Sequence, residues 1–301
     1  MNQPNLEAVE ITCQDGTPLA GHFLPAHGGR APATAKPVLL CPATGVKQHF
    51  YLRFAGWLAE QGHDVLVFDY RGIGLSLRGP LQRCRATLAE WGQQDQVAAL
   101  SWLVARTGHD KVLLVGHSAG GQMIGLLPNH HHVERIVGVA VSTGWFRGMR
   151  PSFRFKAHFG LRCLVPLGTW VKGYAPTAAI GLGENLPAAV GRQWGQWCAA
   201  GGYATNAVRG RPQQDFHREI RIPITVFHAT DDDIATPATV AAPDAAPALY
   251  KWRDDHGVWN YTDQPPADRP FERISGTPNV NSVPTVVPDS GLVEPSAPPA
   301  Q

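Results

Sequence analysis

The chain has 301 residues, of which 44% are apolar and 17% are charged. This composition excludes a chain that is disordered throughout, because it supplies enough apolar side chain to bury a large core. The 26 basic and 24 acidic residues leave a net charge of +2, which is too small to favour nucleic acid or an acidic membrane face as the partner of the whole protein. We therefore expect chemistry on a small molecule.

The cysteines and the N-terminus indicate the compartment. The five cysteines are scattered and include no Cys-x-x-Cys pair, so they signal neither a disulfide framework nor a zinc site. Residues Met1 to Glu10 lack a basic segment followed by an apolar one, and no window reaches the roughly 18 uncharged apolar residues of a membrane span. We expect a cytoplasmic protein without stable membrane insertion. The sequence does not indicate an oligomeric state.

Short apolar runs alternate with amphipathic ones along the chain. An antiparallel hairpin is predicted over residues 7 to 25, with its turn at Asp15-Gly16. Buried strands are then predicted at Val38–Cys41, Val65–Phe68, Val112–Val115, Ile136–Val141 and Ile224–Phe227. Helices are predicted at Tyr51–Gln61, Thr87–Thr107 and Gln122–Leu127. The alternation predicts an α/β fold with a mostly parallel, doubly wound sheet.

The strand and helix alternation divides the chain into four segments. Residues 1–144 are predicted to form the first part of the α/β core, and 145–219 a helical cap inserted into it. Residues 220–263 complete the core. From 264 to 301 the chain is rich in Pro, Ser, Thr and Asn without helical periodicity, which predicts a disordered tail.

Within the predicted cap, Phe159 to Tyr174 is the most apolar stretch. Polar or helix-breaking residues interrupt it, so we interpret it as cap core or substrate-pocket lining rather than a membrane segment. Four aromatic cap residues are expected to indicate a pocket for an apolar acyl or aromatic group: Trp145, Phe146, Trp170 and Trp194.

The strongest local signal is Gly116-His117-Ser118-Ala119-Gly120-Gly121, between a predicted strand and a predicted helix. A nucleophile on such a strand-to-helix turn has a strained backbone, and small residues two before and two after it let the chain fold back. The alternative, a glycine-rich turn without function, is rare in this context. We therefore predict that Ser118 is a nucleophile.

A serine nucleophile needs donors that stabilise the oxyanion formed in the transition state. One is predicted to be the amide of Ala119, directly after the nucleophile. The other is predicted in the loop after strand Val38–Cys41, and we choose the amide of Thr44. A plain strand-end turn is the alternative interpretation of this loop.

The predicted acid and base follow the serine, because the chain order in this architecture is Ser, then Asp or Glu, then His. Strand Ile224–Phe227 leads into Asp231-Asp232-Asp233, and we choose Asp232 as the acid. Asp231 and Asp233 stay open, and a helix-capping carboxylate is a further interpretation of Asp233. Downstream, the only histidine is His256, so elimination selects it as the base, although a solvated loop histidine is equally consistent.

Two further motifs are interpreted as structural. His130, His131 and His132 lack a carboxylate at ligand spacing, so no metal site is predicted. The glycines of Asp69 to Ser76 do not match a phosphate-binding G-x-G-x-x-G, and Arg71 is expected to brace the neighbouring loop.

Taken together, the hairpin, the Thr44 loop, the Asp69 to Ser76 segment and the Ser118 motif resemble the α/β-hydrolase fold family. The likeness is to its serine aminopeptidase-like and monoglyceride lipase-like branch, and the cap stretches Gly144 to Arg147 and Gln193 to Cys198 are similar to uncharacterised bacterial members. It runs from about residue 7 to about 240. Beyond that point the family continues with a last strand, a histidine segment and a closing helix, and this sequence does not match that pattern.

The resemblance implies a serine hydrolase without a cofactor, with Ser118 as nucleophile, Thr44 and Ala119 as oxyanion donors and Asp232 as acid. Its substrate is expected to be a small-molecule ester or amide with an apolar acyl group. Two alternatives are a catalytically impaired scaffold that lacks a proper base, and an acyltransferase that uses the same serine.

Overall fold

The structure is a computed structural model and describes residues 6–27, 35–229, 231–236, 240, 249–253, 259–262, 270 and 272–274. Its strands are β1 (Glu7–Thr12), β2 (Pro18–Leu24), β3 (Val38–Cys41), β4 (Val65–Phe68), β5 (Val112–His117), β6 (Val133–Val139), β7 (Tyr174–Ala175), β8 (Leu186–Pro187), β9 (Ile224–Phe227), β10 (Leu249–Arg253), β11 (Trp259–Thr262) and β12 (Glu272–Ile274).

Helices connect these strands. The α-helices are α1 (Leu52–Glu60), α2 (Leu88–Glu90), α3 (Val97–Thr107), α4 (Ala119–Gln122), α5 (Pro151–Phe159), α6 (Val165–Lys172) and α7 (Ala188–Ala200). Wider π-helical turns join α2 to α3 (Trp91–Gln96) and α5 to α6 (Gly160–Leu164). Short 3₁₀ turns lie at Gln48–Tyr51, Gly74–Ser76, Leu81–Arg83, Ile124–Leu126, His130–His132, Phe146–Gly148, Thr177–Ile180, Tyr203–Ala207 and Pro212–Gln214.

A seven-stranded sheet forms the centre, in the order β1-β2-β4-β3-β5-β6-β9. The pairs β1–β2 and β2–β4 are antiparallel, and all the other pairs are parallel. The predicted α/β fold with an N-terminal antiparallel hairpin is therefore confirmed. Because the parallel strands run the same way, the loops that follow β3, β5 and β9 meet at one edge of the sheet.

The two faces of the sheet are covered unequally. On one face, α3 and α4 pack over strand residues such as Leu39, Leu66 and Leu114. On the other, α1 covers β2, β4 and β3, but Val139 of β6 and Phe227 of β9 are exposed. Among the described helices none covers this part of the sheet, although parallel strands are normally buried on both faces. This uncovered part of the sheet lies at β6 and β9, and β9 is the last strand before the sequence stops resembling the family at about residue 240.

Several predicted elements differ from the structure at their boundaries: β5 extends to His117 instead of Val115, and β6 begins at Val133 instead of Ile136. Strand β6 ends at Val139 instead of Val141, because Ala140 has a positive φ of 51° and turns the chain. In place of the helix predicted at Gln122–Leu127, the chain forms the short helix Ala119–Gln122 and then a 3₁₀ turn at Ile124–Leu126. This turn packs tightly on another segment, because the ring of His217 fills the space that a side chain at Gly125 would need.

The C-terminal segment contains a separate small sheet, in which β10 pairs antiparallel with both β11 and β12. Three residues of the predicted tail, Glu272–Ile274, therefore form a strand in place of the predicted disorder. They pair with Leu249, Tyr250 and Lys251, so the backbone of this part of the tail is hydrogen-bonded to the preceding segment. Most other tail residues lie outside the described residues.

Candidate active site

Ser118 lies on a sharp turn between β5 and α4. Its φ of 47° and ψ of −117° lie outside the regions that L-residues normally adopt. The turn is held from both sides, because the Ser118 amide donates to the carbonyl of Val139 (2.8 Å) and the Ser118 carbonyl accepts from Gly121 (3.0 Å). The backbone at Ser118 is therefore strained and fixed in place, as expected for a nucleophile at this kind of turn.

The glycines around Ser118 permit close packing of the backbone. A Cβ on Gly116 would overlap the backbone of Gly121, and a Cβ on Gly120 would overlap the carbonyl of Cys41 at the end of β3. The turn thus requires glycine at both positions for steric reasons.

We expect Gly120→Ala to lower the free energy of unfolding by about 1–3 kcal/mol, because the carbonyl of Cys41 belongs to a buried strand and cannot move freely. Urea denaturation measures this change. Gly160→Ala is the matched control, since its Cβ would meet only the flexible end of Ile180 at 2.9 Å. An equal loss in both variants would contradict this explanation of the Ser118 turn.

The loop after β3 presents the amide of Thr44 at the same edge of the sheet. The preceding amide, that of Ala43, is already used, because it donates to Tyr51 Oη at 2.9 Å. Among the described residues, neither the Thr44 amide nor the Ala119 amide donates to a protein atom. Both are free to bind an anion, which supports the prediction of these two donors without testing it.

The side chain of Asp232 is held by two backbone amides of the loop that follows β9. One carboxylate oxygen, Oδ1, accepts from the amides of Ile234 (2.7 Å) and Ala235 (2.8 Å). These bonds leave Oδ2 available to orient a base. Asp233 pairs with Arg150 of the cap (3.5 Å), and Asp231 is exposed. Of the three carboxylates, Asp232 is therefore the best placed and stays the predicted acid.

His256, the predicted base, lies outside the described residues. The prediction that it serves Ser118 stays open to experiment.

Sequence reasoning missed Tyr51 and His117, which link the two sides of the site. Tyr51 Oη accepts from Ala43 and lies 2.8 Å from His117 Nδ1. Because burial raises the pKa of Tyr51, its phenol is neutral and can donate its proton to His117. The tyrosine thus ties the Thr44 loop to the residue before the nucleophile. No sequence signal indicates a contact between residues 66 positions apart.

Burial lowers the pKa of His117, while the charge of Asp232 partly opposes this effect. The unfolded chain therefore binds a proton more readily than the folded one, and we expect stability to fall as the pH drops below about 6.5. Replacing His117 with asparagine keeps a polar partner for Tyr51 but removes the titration. Thermal melts between pH 7 and pH 5 should show a shallower loss for His117→Asn than for the parent. Identical profiles would contradict the lowered pKa.

Gln96 stabilises the turn that carries Ser118 by a hydrogen bond to its backbone. It is fully buried, and its Nε2 donates to the carbonyl of Gly120 and to Tyr70 Oη, both at 2.8 Å. The carbonyl of Gly120 belongs to the four-residue helix α4, so this bond satisfies an acceptor that so short a helix leaves free. The sequence analysis did not select Gln96, although adjacent polar residues inside an apolar helical pattern could have indicated it.

A small cavity of about 50 Å³ opens beside Ser118. Its walls come from the sheet edge and from the cap and are mostly apolar. They include Gln122, Ser142, Met149, Phe153, Ala157, Leu161, Leu182, Trp194, Cys198, Tyr203 and Ile234. The Thr44 side chain is hydrogen-bonded to Tyr203, whose pKa burial raises. The cavity can thus hold a short apolar group next to the nucleophile.

The structure separates the cap aromatics predicted to line a pocket. Trp194 lines the cavity beside Ser118. Trp170 does not, because 83% of its surface is exposed on the outside of the cap. The expectation for Trp170 is therefore wrong, because its position on the exposed side of α6 keeps the ring out of the cavity.

Arg71 has the bracing role predicted for it, whereas the absence of a metal site at the histidine run stays a prediction. Within the described residues, no group of three or more His, Cys, Asp or Glu side chains could hold a metal ion. The His132 ring instead lies 3.1 Å from Asp110. Arg71 contacts Asp15 in the turn between β1 and β2 and Asp95 in the π-helical turn between α2 and α3, each at 2.6 Å, and so joins these two segments.

The sequence model of one protein family, the "Alpha/beta hydrolase family", matches residues 38–296 of this chain. Among curated proteins, the uncharacterized protein YfhR of Escherichia coli is 31% identical over 120 residues, 39% of this chain and 40% of that protein. The putative carbamate hydrolase RutD of Variovorax paradoxus is 29% identical over 131 residues, 43% and 46% of the two chains. The chain thus matches less than half the length of these relatives.

Among solved structures, a soluble variant of monoglyceride lipase from Saccharomyces cerevisiae, in complex with a substrate analog, has a TM-score of 0.53 at 16% identity. The match covers 79% of this chain and 80% of that one. The hypothetical protein PA2218 of Pseudomonas aeruginosa has a TM-score of 0.50 at 14% identity, over 76% and 78% of the two chains. At such identities the likeness shows the fold alone.

Proposed function

Since the chain belongs to the alpha/beta hydrolase family, we propose that it is a serine hydrolase that cleaves an ester or amide of a small apolar acyl group through an acyl-enzyme on Ser118. The observation that carries this proposal is the strained Ser118 backbone beside a mostly apolar cavity. Such strain persists only where the surrounding structure enforces it, and it concentrates at functional sites.

In the proposed reaction, Ser118 Oγ attacks the carbonyl carbon and His256 takes its proton. The carbonyl oxygen becomes an oxyanion, which the amides of Thr44 and Ala119 stabilise. The tetrahedral adduct collapses, and the leaving group departs with the proton from His256. Water then attacks the acyl-enzyme, a second tetrahedral adduct collapses, and the carboxylic acid product is released from Ser118. Asp232 orients the base and stabilises its charged form. No cofactor takes part in these steps.

The size of the cavity beside Ser118 limits the length of the acyl group that fits. A volume of about 50 Å³ holds only a few carbon atoms, and the bulky Trp194 and Tyr203 lie among its walls. We therefore expect short acyl chains to react and long ones to be rejected.

A series of nitrophenyl esters of increasing acyl length tests this proposal. The kcat/KM should be highest for acetyl or butyryl esters and fall for octanoyl and longer ones. Trp194→Ala should move the optimum to longer chains, whereas Trp170→Ala, outside the cavity, should not. Hydrolysis of every ester at the rate of free solution would instead favour the catalytically impaired scaffold. Transfer to an added alcohol in preference to water would favour the acyltransferase.

A further inference from the structure

The cap has an outer side that faces away from the site. Helices α5 and α6, with the π-helical turn between them, run without a break from Pro151 to Lys172. One side of this helix is buried through Ala157, Leu161 and Val165. The opposite side points to solvent, so its composition is not explained by the packing of the cap.

That opposite side is apolar as well. We call it the outer stripe and define it as Phe155, Phe159, Leu167, Trp170 and Val171, whose exposed fractions are 76%, 48%, 57%, 83% and 66%. Positions 155, 159, 167 and 171 are multiples of four residues apart, so they follow one line on the helix surface. The rings of Phe155 and Phe159 are stacked, with an interplanar angle of 5°. An exposed apolar patch of this kind marks a contact surface.

The charged Lys, Arg, Asp and Glu side chains of the segment that contains the outer stripe all have one sign. Between Glu134 and Glu184 the sequence contains seven Lys or Arg residues and no Asp or Glu. Four of them lie on the helix itself and are exposed: Arg154, Lys156, Arg162 and Lys172. The net charge of +2 for the whole chain hides this local excess. A partner that is both apolar and negatively charged would therefore complement the outer stripe.

We propose that the outer stripe docks this protein on an anionic lipid bilayer, with the cap helix lying in the plane of the interface. Helices that bind this way combine Trp, Phe and Leu on one side with Lys and Arg beside them. No described helix is long and apolar enough to span a bilayer, which agrees with docking at the surface. A symmetric contact between two copies is disfavoured, because it would place the same cations against each other.

Vesicle sedimentation of the full chain tests this proposal. The protein should sediment with phosphatidylcholine vesicles that contain about 30 mol% phosphatidylglycerol. We expect binding to be weaker by at least about tenfold on pure phosphatidylcholine and in high salt. The reason is that the Lys and Arg residues of the cap helix are attracted by the negative surface potential of the vesicle, which salt screens. A dye that reports polarity can be attached to Cys163, the exposed cysteine on the same helix, and its emission should shift to the blue on binding.

A matched pair of variants locates the surface. Phe155→Ser with Trp170→Ser should weaken vesicle binding about tenfold or more. Phe54→Ser with Trp57→Ser on α1 is the control, because these rings are also exposed, by 44% and 52%. It should leave binding unchanged, and thermal melts should show that both variants fold.

Three results would overturn the proposal: no sedimentation of the parent with anionic vesicles, equal loss of binding in both double variants, or a parent dimer that Phe155→Ser with Trp170→Ser converts to a monomer. The last result would assign the outer stripe to a second copy of the chain. None of these measurements depends on hydrolytic activity.

Discussion

Replacing Ser118 with alanine is expected to lower kcat/KM on a short-chain aryl ester by about four orders of magnitude or more. The reason is that Oγ forms the covalent intermediate, and water cannot take its place at the same position. Steady-state kinetics with the acetyl or butyryl ester measure the loss. Ser152→Ala, an exposed serine of the cap, is the control and should keep the parent rate.

The same kinetics test the proposed base. If His256 serves Ser118, then His256→Ala should lower kcat by a similar factor and the double variant should be little worse, because such residues act as a unit. The parent activity should rise with pH through a pKa of about 6 to 7.5, as imidazole loses its proton. Full activity in His256→Ala, with none in Ser118→Ala, would show that the serine works without this histidine.

The second large effect is expected at Asp95. This carboxylate is fully buried and accepts from Arg71 through Nε (2.6 Å) and the backbone amide (2.9 Å). Burial raises the pKa of Asp95 to about 6, although Arg71 opposes the effect. At pH 8 the pair is therefore charged, and Asp95→Ala leaves the Arg71 guanidinium, itself buried, without its main partner. We expect a loss of about 3–5 kcal/mol in the free energy of unfolding.

Urea denaturation at pH 8 measures this loss, and a surface pair provides the control. Glu10 and Arg78 form an ion pair of 3.0 Å, and both side chains are more than half exposed. Glu10→Ala should therefore cost less than about 1 kcal/mol. A loss for Asp95→Ala no larger than that for Glu10→Ala would show that the buried pair does not stabilise the fold.

The parts of the fold that could be predicted are those with a local cause. Strands β3, β4 and β9 agree with their predicted bounds, because each is a run of four apolar or β-branched residues bounded by proline or polar residues, which leaves few alternatives. The end of β6 could not be predicted, because it depends on a positive φ at Ala140, whose amide donates to the carbonyl of Phe227 in β9. This contact joins residues that are far apart in the chain.

The same division holds within the candidate site. The turn at Ser118 follows from its glycines and from the strand before it, so the motif was sufficient to predict it. The bond between Tyr51 and His117 joins residues that are close only in the folded sheet. The position of Trp170 depends on which side of the cap helix packs on α7, and a helix that is apolar on two sides gives no indication of this.

Reaction with a fluorophosphonate is the measurement that tests the role of Ser118 most directly. The reagent needs an activated nucleophile and an oxyanion-binding site, but no knowledge of the natural substrate. Peptide mass spectrometry should find a single phosphonyl adduct on the peptide that contains Ser118, and none on the Ser118→Ala variant. No adduct on the parent, or an equal amount on Ser118→Ala, would contradict a serine hydrolase at this site.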